Sequence, residues 1–247
     1  MSKVVVITGA GSGLGRAVAL HRGRNGDEVV LLGRTLGKIE AVAQEIGSRA
    51  LALACDVGSA DSVRHAFAKI AERHPRIDAL INNAAIYTPS LLREASDELI
   101  LQMVSTNLTG AIFCSRAAIA LLRPGGRIIN ISSESVDMPF AHLTVYQATK
   151  AALERLSISL NSELEDQGIH VGFVRAGQMV GEGAQGVDAS PEVLARFVEA
   201  NQRRGLDMRE RPGTDFSSAA EIVGAVLDFP DDVHTAGLML HGSGARR

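Results

Sequence analysis

The chain has 247 residues, of which 46% are hydrophobic and 21% are charged, and this composition can bury one large core. A formal net charge of −3 at pH 7, without a block of Lys or Arg, argues against nucleic acid or an anionic membrane as a partner. Two cysteines are too few for a disulfide framework or a zinc site, and no clustered His spacing indicates another metal site.

The beginning of the chain carries no sign of export. Met1-Ser2-Lys3 leads directly into a predicted strand, and no apolar run approaches the length that spans a bilayer. We therefore expect a cytoplasmic protein in which residues 1–247 form a single domain.

Strand and helix patterns alternate along the chain. The predicted strands are short, mostly continuous apolar runs at 3–8, 28–33, 50–55, 78–82, 126–131, 169–174 and 237–241. The predicted helices lie between them at 13–25, 36–46, 59–73, 96–122, 144–167, 190–204 and 216–228. This alternation predicts an α/β fold, a doubly wound parallel sheet of about seven strands with helices on both faces. Ligands of such sheets bind beyond the carboxyl ends of the strands.

The first predicted strand runs into a glycine-rich turn. Its sequence is Thr8-Gly9-Ala10-Gly11-Ser12-Gly13-Leu14-Gly15, and a helical pattern follows. Glycines let the backbone turn tightly and approach a diphosphate, whose charge then faces the N–H groups and the positive dipole end of the new helix. The spacing T-G-x-x-x-G-x-G differs from the common dinucleotide fingerprint, and it lacks the lysine of a P-loop.

A second motif combines a hydroxyl, a phenol and an ammonium. If the segment after Pro139 is helical, Tyr146 and Lys150 share a helix face, downstream of Ser132 and Ser133. An ammonium within about 4–6 Å of a phenol lowers its pKa. We expect Lys150 to lower the pKa of Tyr146 by about two to three units, worth about 3–4 kcal/mol, which would make Tyr146 a general acid/base.

Together these motifs resemble the short-chain dehydrogenase/reductase family, over residues 3 to about 177. The matching segments are the glycine motif, Asn82-Asn83-Ala84-Ala85 in place of N-N-A-G, and a tetrad of Asn107, Ser133, Tyr146 and Lys150. Ser133 is preferred to Ser132 because it lies thirteen residues before Tyr146, as in the family. The resemblance implies a Rossmann-type fold and an NAD(P)-dependent oxidoreductase that interconverts a ketone or aldehyde and an alcohol by hydride transfer.

The resemblance also implies roles for single residues. Tyr146 would exchange the proton with the substrate oxygen, which Ser133 would also hydrogen-bond, so both are expected to bind substrate. Lys150 would hydrogen-bond the nicotinamide ribose, and Asn107 would lie at a helix kink and hold a water that connects Lys150 to solvent. A dinucleotide-binding redox sensor and a non-redox lyase or epimerase are alternatives that the sequence leaves open.

The expected cofactor site follows the strand ends. Gly33 has no charge to repel a 2′-phosphate and Arg34 can pair with one, so NADP is preferred and NAD remains possible. The expected cofactor-binding residues are Thr8, Gly9, Gly11, Ser12, Gly13, Leu14, Gly15, Arg34, Asp56, Val57, Asn83, Ala84, Ala85, Tyr146, Lys150 and Gly177.

The segment after Gly177 departs from the family. Gly181 replaces a threonine that could hold the nicotinamide carboxamide, and backbone groups of 178–180 could substitute. A glycine-rich run at 181–186 favours a substrate lid at about 178–212, although a plain surface loop fits the composition nearly as well. The arginines 203, 204, 209 and 211 favour a solvated helix end over an anionic substrate. In the family, helices at 96–122 and 144–167 form the oligomer interface, which implies a homodimer or homotetramer.

Overall fold

A computed structural model describes residues 2–182, 189–207 and 210–243. Seven strands form one parallel sheet: β1 (Val4–Thr8), β2 (Glu28–Gly33), β3 (Ala50–Ala54), β4 (Ile77–Asn82), β5 (Leu122–Ser133), β6 (His170–Ala176) and β9 (Gly237–Leu240). Two further strands, β7 (Met179–Val180) and β8 (Thr214–Asp215), pair with each other outside this sheet. The order of the main sheet is β3-β2-β1-β4-β5-β6-β9.

Helices connect the strands. They are α1 (Gly13–Arg24), α2 (Leu36–Ile46), α3 (Ala60–Arg73), α4 (Asp97–Val104), α5 (Gly110–Ile119), α6 (Thr144–Leu164), α7 (Pro191–Gln202) and α8 (Phe216–Leu227). Single 3₁₀ turns lie at Leu92–Glu94, Glu134–Val136 and Glu165–Gln167. No helix within the described ranges has both the length and the apolar character needed to cross a bilayer.

The strands are buried on both faces, which explains their continuous apolar runs. Val5 and Ile7 of β1 belong to one core cluster with side chains from α1, α2 and α8. Val6, which points to the other face, belongs to a second cluster with side chains from α3 and α5. Because successive side chains alternate between the faces, two helix layers need apolar residues at every position of a strand. The predicted doubly wound sheet is confirmed.

Two features differ from the prediction. The helix predicted at 96–122 is interrupted by a π-helical turn at Ser105–Thr109, and residue 122 already begins β5. The β7–β8 pair was not predicted, because two residues are too short to show a strand pattern. Part of the predicted lid, residues 183–188 and 208–209, lies outside the described residues.

Candidate active site

Ser133, Tyr146 and Lys150 meet at the carboxyl end of β5. Ser133 is the last residue of that strand, and its hydroxyl is near enough to the phenol of Tyr146 to lower the pKa of that phenol. Tyr146 and Lys150 are one turn apart on α6, and the Lys150 Nζ lies 5.7 Å from the centre of the Tyr146 ring. Ser132 is used elsewhere, because its hydroxyl donates to the Glu154 carboxylate at 2.6 Å. The structure therefore brings together the three residues that the sequence singled out.

Burial dominates the acid–base properties of this group. Removal from water raises the pKa of Tyr146 to about 12, although the nearby Ser133 hydroxyl lowers it in part and the Glu134 carboxylate adds to the rise. Burial also lowers the pKa of Lys150 to about 8. The prediction that Lys150 lowers the pKa of Tyr146 is wrong for this structure. Lost hydration outweighs the attraction of an ammonium whose Nζ donates to the Ile131 carbonyl at 2.7 Å.

Asn107 lies in the π turn and joins two parts of the site. Its Nδ2 donates to the Ile86 carbonyl at 2.9 Å and to the Thr149 hydroxyl at 3.3 Å, while its Oδ1 accepts from the Ile86 N–H at 2.7 Å. The Thr149 hydroxyl in turn donates to the Tyr146 carbonyl at 2.7 Å. The kink expected at Asn107 is present, and its side chain fixes α6 against the loop after β4.

The glycine turn is built on a close contact between β1 and the end of β4. Gly9 has φ +65°, and a Cβ there would lie 2.9 Å from the Ala84 Cα, so only glycine fits. The Thr8 hydroxyl accepts from the N–H groups of Asn83 and Ala84, both at 3.0 Å. The Asn83 amide donates to the Thr8 and Gly9 carbonyls. The side chains of Thr8 and Asn83 therefore hold the two turns together.

A basic cleft of about 160 Å³ opens beside this turn. Its walls are Gly9, Gly11, Ser12, Gly33, Arg34, Thr35, Lys38 and Ile39. Arg34 and Lys38 are both exposed, and neither forms an ion pair with any residue that the structure describes. Lys38 was not predicted from the sequence. It lies four residues after Arg34, in the first turn of the predicted helix, and this spacing could have indicated it.

The remaining residues of the expected cofactor site lie along the same edge of the sheet. Gly13 begins α1, Leu14 and Gly15 are buried beneath the turn, and Ala85 is exposed after β4. Asp56 accepts from the Gly58 N–H at 3.0 Å after β3, and Val57 packs against Gly110 of α5. Gly177 follows β6, and its N–H donates to the Leu240 carbonyl at 3.0 Å. All of these positions follow strand ends, as predicted.

Three further residues surround the catalytic group, and of these only Tyr87 was not named from the sequence. The ring of Tyr87, the only other tyrosine of the chain, meets the Tyr146 ring edge-on with 5.0 Å between the centroids. Glu134 is buried next to Ser133, and its Oε2 accepts from the Arg211 Nη2 at 2.5 Å. Arg211 is therefore not part of a solvated helix end, as the sequence suggested.

An apolar wall borders the phenol. Phe140, Leu143 and Phe197 form a buried cluster against which Tyr87 and Tyr146 pack. The ring of His142 lies 6.4 Å from the Phe197 ring. Since Phe197 belongs to α7, this helix closes one side of the space in front of Tyr146.

The described residues fit a nicotinamide dinucleotide. The turn after β1 and the cleft with two basic residues suit its phosphates, and both lie at the sheet edge where Tyr146 is found. Beside Gly177, the Gln178 Oε1 and the Thr214 Oγ1 are buried without a hydrogen-bond partner in the part of the chain that the structure describes. Unpaired buried polar atoms of this kind suit a polar ligand group.

Comparison with known proteins decides the family. A family model for short chain dehydrogenases matches residues 3–190. The chain belongs to the short-chain dehydrogenase family. It is therefore an NAD(P)-dependent oxidoreductase, and its fold is that of solved short-chain dehydrogenase structures.

Two relatives illustrate the range of the family. A 3beta-hydroxysteroid dehydrogenase of Mediterraneibacter gnavus is 34% identical over 172 residues, which cover 68% of this chain and 62% of that protein. Carbonyl reductase family member 4 of Danio rerio is 34% identical over 242 residues, which cover 97% of this chain and 96% of that protein.

Solved structures of similar short-chain dehydrogenases hold either dinucleotide. An alcohol dehydrogenase from Thermococcus sibiricus complexed with 5-hydroxy-NADP is 25% identical, has a TM-score of 0.82, and covers 100% of this chain and 99% of its own. A 3-ketoacyl-(acyl-carrier-protein) reductase from Brucella melitensis complexed with NADH is 26% identical and has a TM-score of 0.80. The match covers 98% of this chain and 97% of the reductase chain.

Proposed function

We propose that this short-chain dehydrogenase interconverts a ketone or aldehyde and an alcohol by hydride transfer, with Tyr146 as general acid/base. The observation that carries the proposal is the grouping of Ser133, Tyr146 and Lys150 at the end of β5, with the Lys150 Nζ 5.7 Å from the centre of the Tyr146 ring. When bound, the nicotinamide ring donates or takes up the hydride. The protein positions the substrate oxygen and controls the proton.

The raised pKa of Tyr146 suits proton donation. With a pKa of about 12, the phenol keeps its proton at neutral pH and can give it to a carbonyl oxygen on which negative charge develops. The Ser133 hydroxyl beside it can hydrogen-bond the same oxygen. In the opposite direction the phenol must lose its proton first, so alcohol oxidation should rise with pH. Lys150, whose pKa of about 8 leaves it mostly charged at neutral pH, would hydrogen-bond the nicotinamide ribose.

NADP is the proposed dinucleotide of choice. Arg34 and Lys38 stand on one wall of the basic cleft without protein partners among the described residues, and a 2′-phosphate would supply an acceptor for both. No acidic side chain lines that cleft to repel the phosphate. The Asn107 side chain has a positioning role in this proposal, and its link to a water remains a prediction.

The proposal also includes assembly into a homo-oligomer and a lid that closes over the substrate. Leu101, Ile112 and Ile158 are exposed apolar side chains on α4, α5 and α6, which supports a homodimer or homotetramer built on these helices. Packing of Phe197 against the wall next to Tyr146 supports a substrate lid that includes α7. A cytoplasmic location remains a prediction from the sequence.

The substitution Tyr146→Phe tests the proposal. Loss of the phenol should reduce the rate of NADPH-dependent carbonyl reduction about 10²- to 10⁴-fold, followed as loss of the reduced nicotinamide absorbance. NADPH binding should stay within about twofold of the wild type. Tyr87→Phe, which keeps the edge-on ring contact and removes the other phenol, should lose far less activity than Tyr146→Phe.

Full activity of Tyr146→Phe would contradict the proposed role of Tyr146. A wild type that binds NADPH but reduces no carbonyl in a broad panel would favour a redox sensor instead. Turnover of a substrate without any change in nicotinamide absorbance would favour a lyase or epimerase.

A further inference from the structure

A buried ion pair lies directly behind the catalytic group. Glu154 of α6 is one helical turn after Lys150, and its side chain is only 8% exposed. Both of its carboxylate oxygens accept from Arg175 of β6, one from Nε and one from Nη2, each at 2.7 Å. Two parallel hydrogen bonds of this kind fix a guanidinium and a carboxylate in one relative orientation. The pair therefore holds α6 against β6 at a defined position.

The same carboxylate is also bound to β5. The Ser132 hydroxyl donates to the Glu154 Oε1 at 2.6 Å, and Ser132 directly precedes Ser133 in the strand. In the register of the two strands, Ser132 is the partner of Arg175. These three side chains thus form one connected group that joins α6 to β5 and β6 next to the catalytic serine.

Arg175 reaches a second segment as well. Its Nη1 donates to the Asp137 carboxylate, and Asp137 directly follows the 3₁₀ turn that begins after Ser133. The guanidinium carbon lies 5.7 Å from the centre of the Phe173 ring, which packs beside it. One guanidinium therefore contacts both the segment that follows Ser133 and the helix that carries Tyr146.

This arrangement bears on the reaction because two hydroxyls must meet one substrate oxygen. In the proposed function, Ser133 comes from β5 and Tyr146 from α6, so the position of the helix relative to the strand sets their separation. A misplacement of about 1 Å can lower a rate about 10²-fold. Lys150 also ties α6 to β5, through the Ile131 carbonyl at 2.7 Å, but its ammonium must contact the cofactor as well.

We propose that Arg175 is a positioning residue for the reaction. Through Glu154 and Ser132 it sets the separation between the Ser133 hydroxyl and the Tyr146 phenol, and it acts on the rate through these contacts. The inference rests on the proposed function, because a separation of the two hydroxyls matters only if both contact the substrate oxygen.

The substitution Arg175→Met tests the inference. It should lower kcat for NADPH-dependent carbonyl reduction about 10- to 100-fold and leave the KM for NADPH within about twofold. Arg175→Lys keeps the charge but cannot form both parallel bonds to Glu154, so it should restore part of kcat. If Arg175→Met does not fold, the double substitution with Glu154→Gln takes its place, because it leaves no buried unpaired charge and should lower kcat equally.

Arg22 supplies a matched control at the opposite end of the sheet. Its buried guanidinium also binds two carboxylates, those of Asp27 at 2.6 Å and Asp228 at 2.7 Å. Arg22→Met should therefore lower the free energy of unfolding at least as much as Arg175→Met does, yet leave kcat within about twofold. Urea denaturation and initial rates, measured on the same preparations, separate the two effects.

A double-mutant cycle shows whether Arg175 acts through Tyr146. In the Tyr146→Phe background the phenol is already gone, so Arg175→Met should lower the residual rate by less than about twofold. A general loss of structure would instead lower the residual rate by the same factor as in the wild type.

Three results would overturn the inference. They are an unchanged kcat in Arg175→Met, an equal loss of kcat in Arg22→Met, and a full effect of Arg175→Met in the Tyr146→Phe background. A wild type that binds NADPH and reduces no carbonyl would contradict the proposed function itself, and the inference would fall with it.

Discussion

Between β1 and β4, the Thr8 hydroxyl accepts from two backbone N–H groups, whereas between β7 and β8 the Thr214 hydroxyl has no hydrogen-bond partner among the described residues. Thr8 ends β1, and Thr214 lies beside the segment that follows β6. The Thr8 hydroxyl fixes the shape of the glycine turn through two hydrogen bonds. The Thr214 hydroxyl makes no hydrogen bond to another described residue. The difference separates a turn held by its own side-chain hydrogen bonds from a strand pair that leaves a buried hydroxyl unpaired.

Stability measurements test directly whether the two threonine hydroxyls differ in this way. Thr8→Val would leave the N–H groups of Asn83 and Ala84 without an acceptor in a buried turn, and we expect the free energy of unfolding to fall by about 2–3 kcal/mol. Thr214→Val should change it by less than about 0.5 kcal/mol, because that hydroxyl makes no bond to lose. Urea denaturation followed by circular dichroism measures both. Equal losses would remove the distinction between the two edges.

The basic cleft extends the comparison, because Arg34 and Lys38 also form no ion pair with a described residue. We test it through the preference for NADPH over NADH. The double substitution of Arg34 and Lys38 by Ala should weaken NADPH binding about tenfold and leave NADH binding nearly unchanged, because only NADPH carries the 2′-phosphate. Lys69→Ala, on the exposed face of α3, is the control. Fluorescence titration with each dinucleotide gives the ratio. A parallel loss for NADH would indicate a general electrostatic effect.

The smallest expected effect concerns pH. Glu134 adds to the rise in the pKa of Tyr146, so Glu134→Gln should lower that pKa. Alcohol oxidation requires the ionised phenol, and its rise with pH should therefore shift to lower pH, by less than about one unit. Asp137→Asn is the control, because Asp137 pairs with Arg175. A shift to higher pH in initial-rate profiles would show that Glu134 does not oppose ionisation of Tyr146.

Most of the sheet could be predicted because each strand needs apolar residues on both faces. The runs around Val5, Val30 and Ile128 carry that requirement in the sequence itself. The predicted tetrad spacing was equally informative, since one helical turn separates Tyr146 from Lys150 whatever surrounds them. These features depend on local periodicity.

Other features depend on contacts that no local pattern contains. The direction of the Tyr146 pKa shift follows from burial and from the Ile131 carbonyl that takes the Lys150 ammonium. Tyr87 and Arg211 reach the site from distant parts of the chain. The β7–β8 strands are too short to show a pattern, although they position Thr214 next to Gln178.

The π turn at Ser105–Thr109 changes which residues of α4 and α5 lie on the same face of the helical segment. Each residue advances an α-helix by about 100°, and a π turn takes up about one residue more than an α-helical turn. A stripe of side chains followed along α4 therefore does not continue at the same spacing along α5. The residues that share a face of α5 must therefore be counted from Gly110 and not continued from α4.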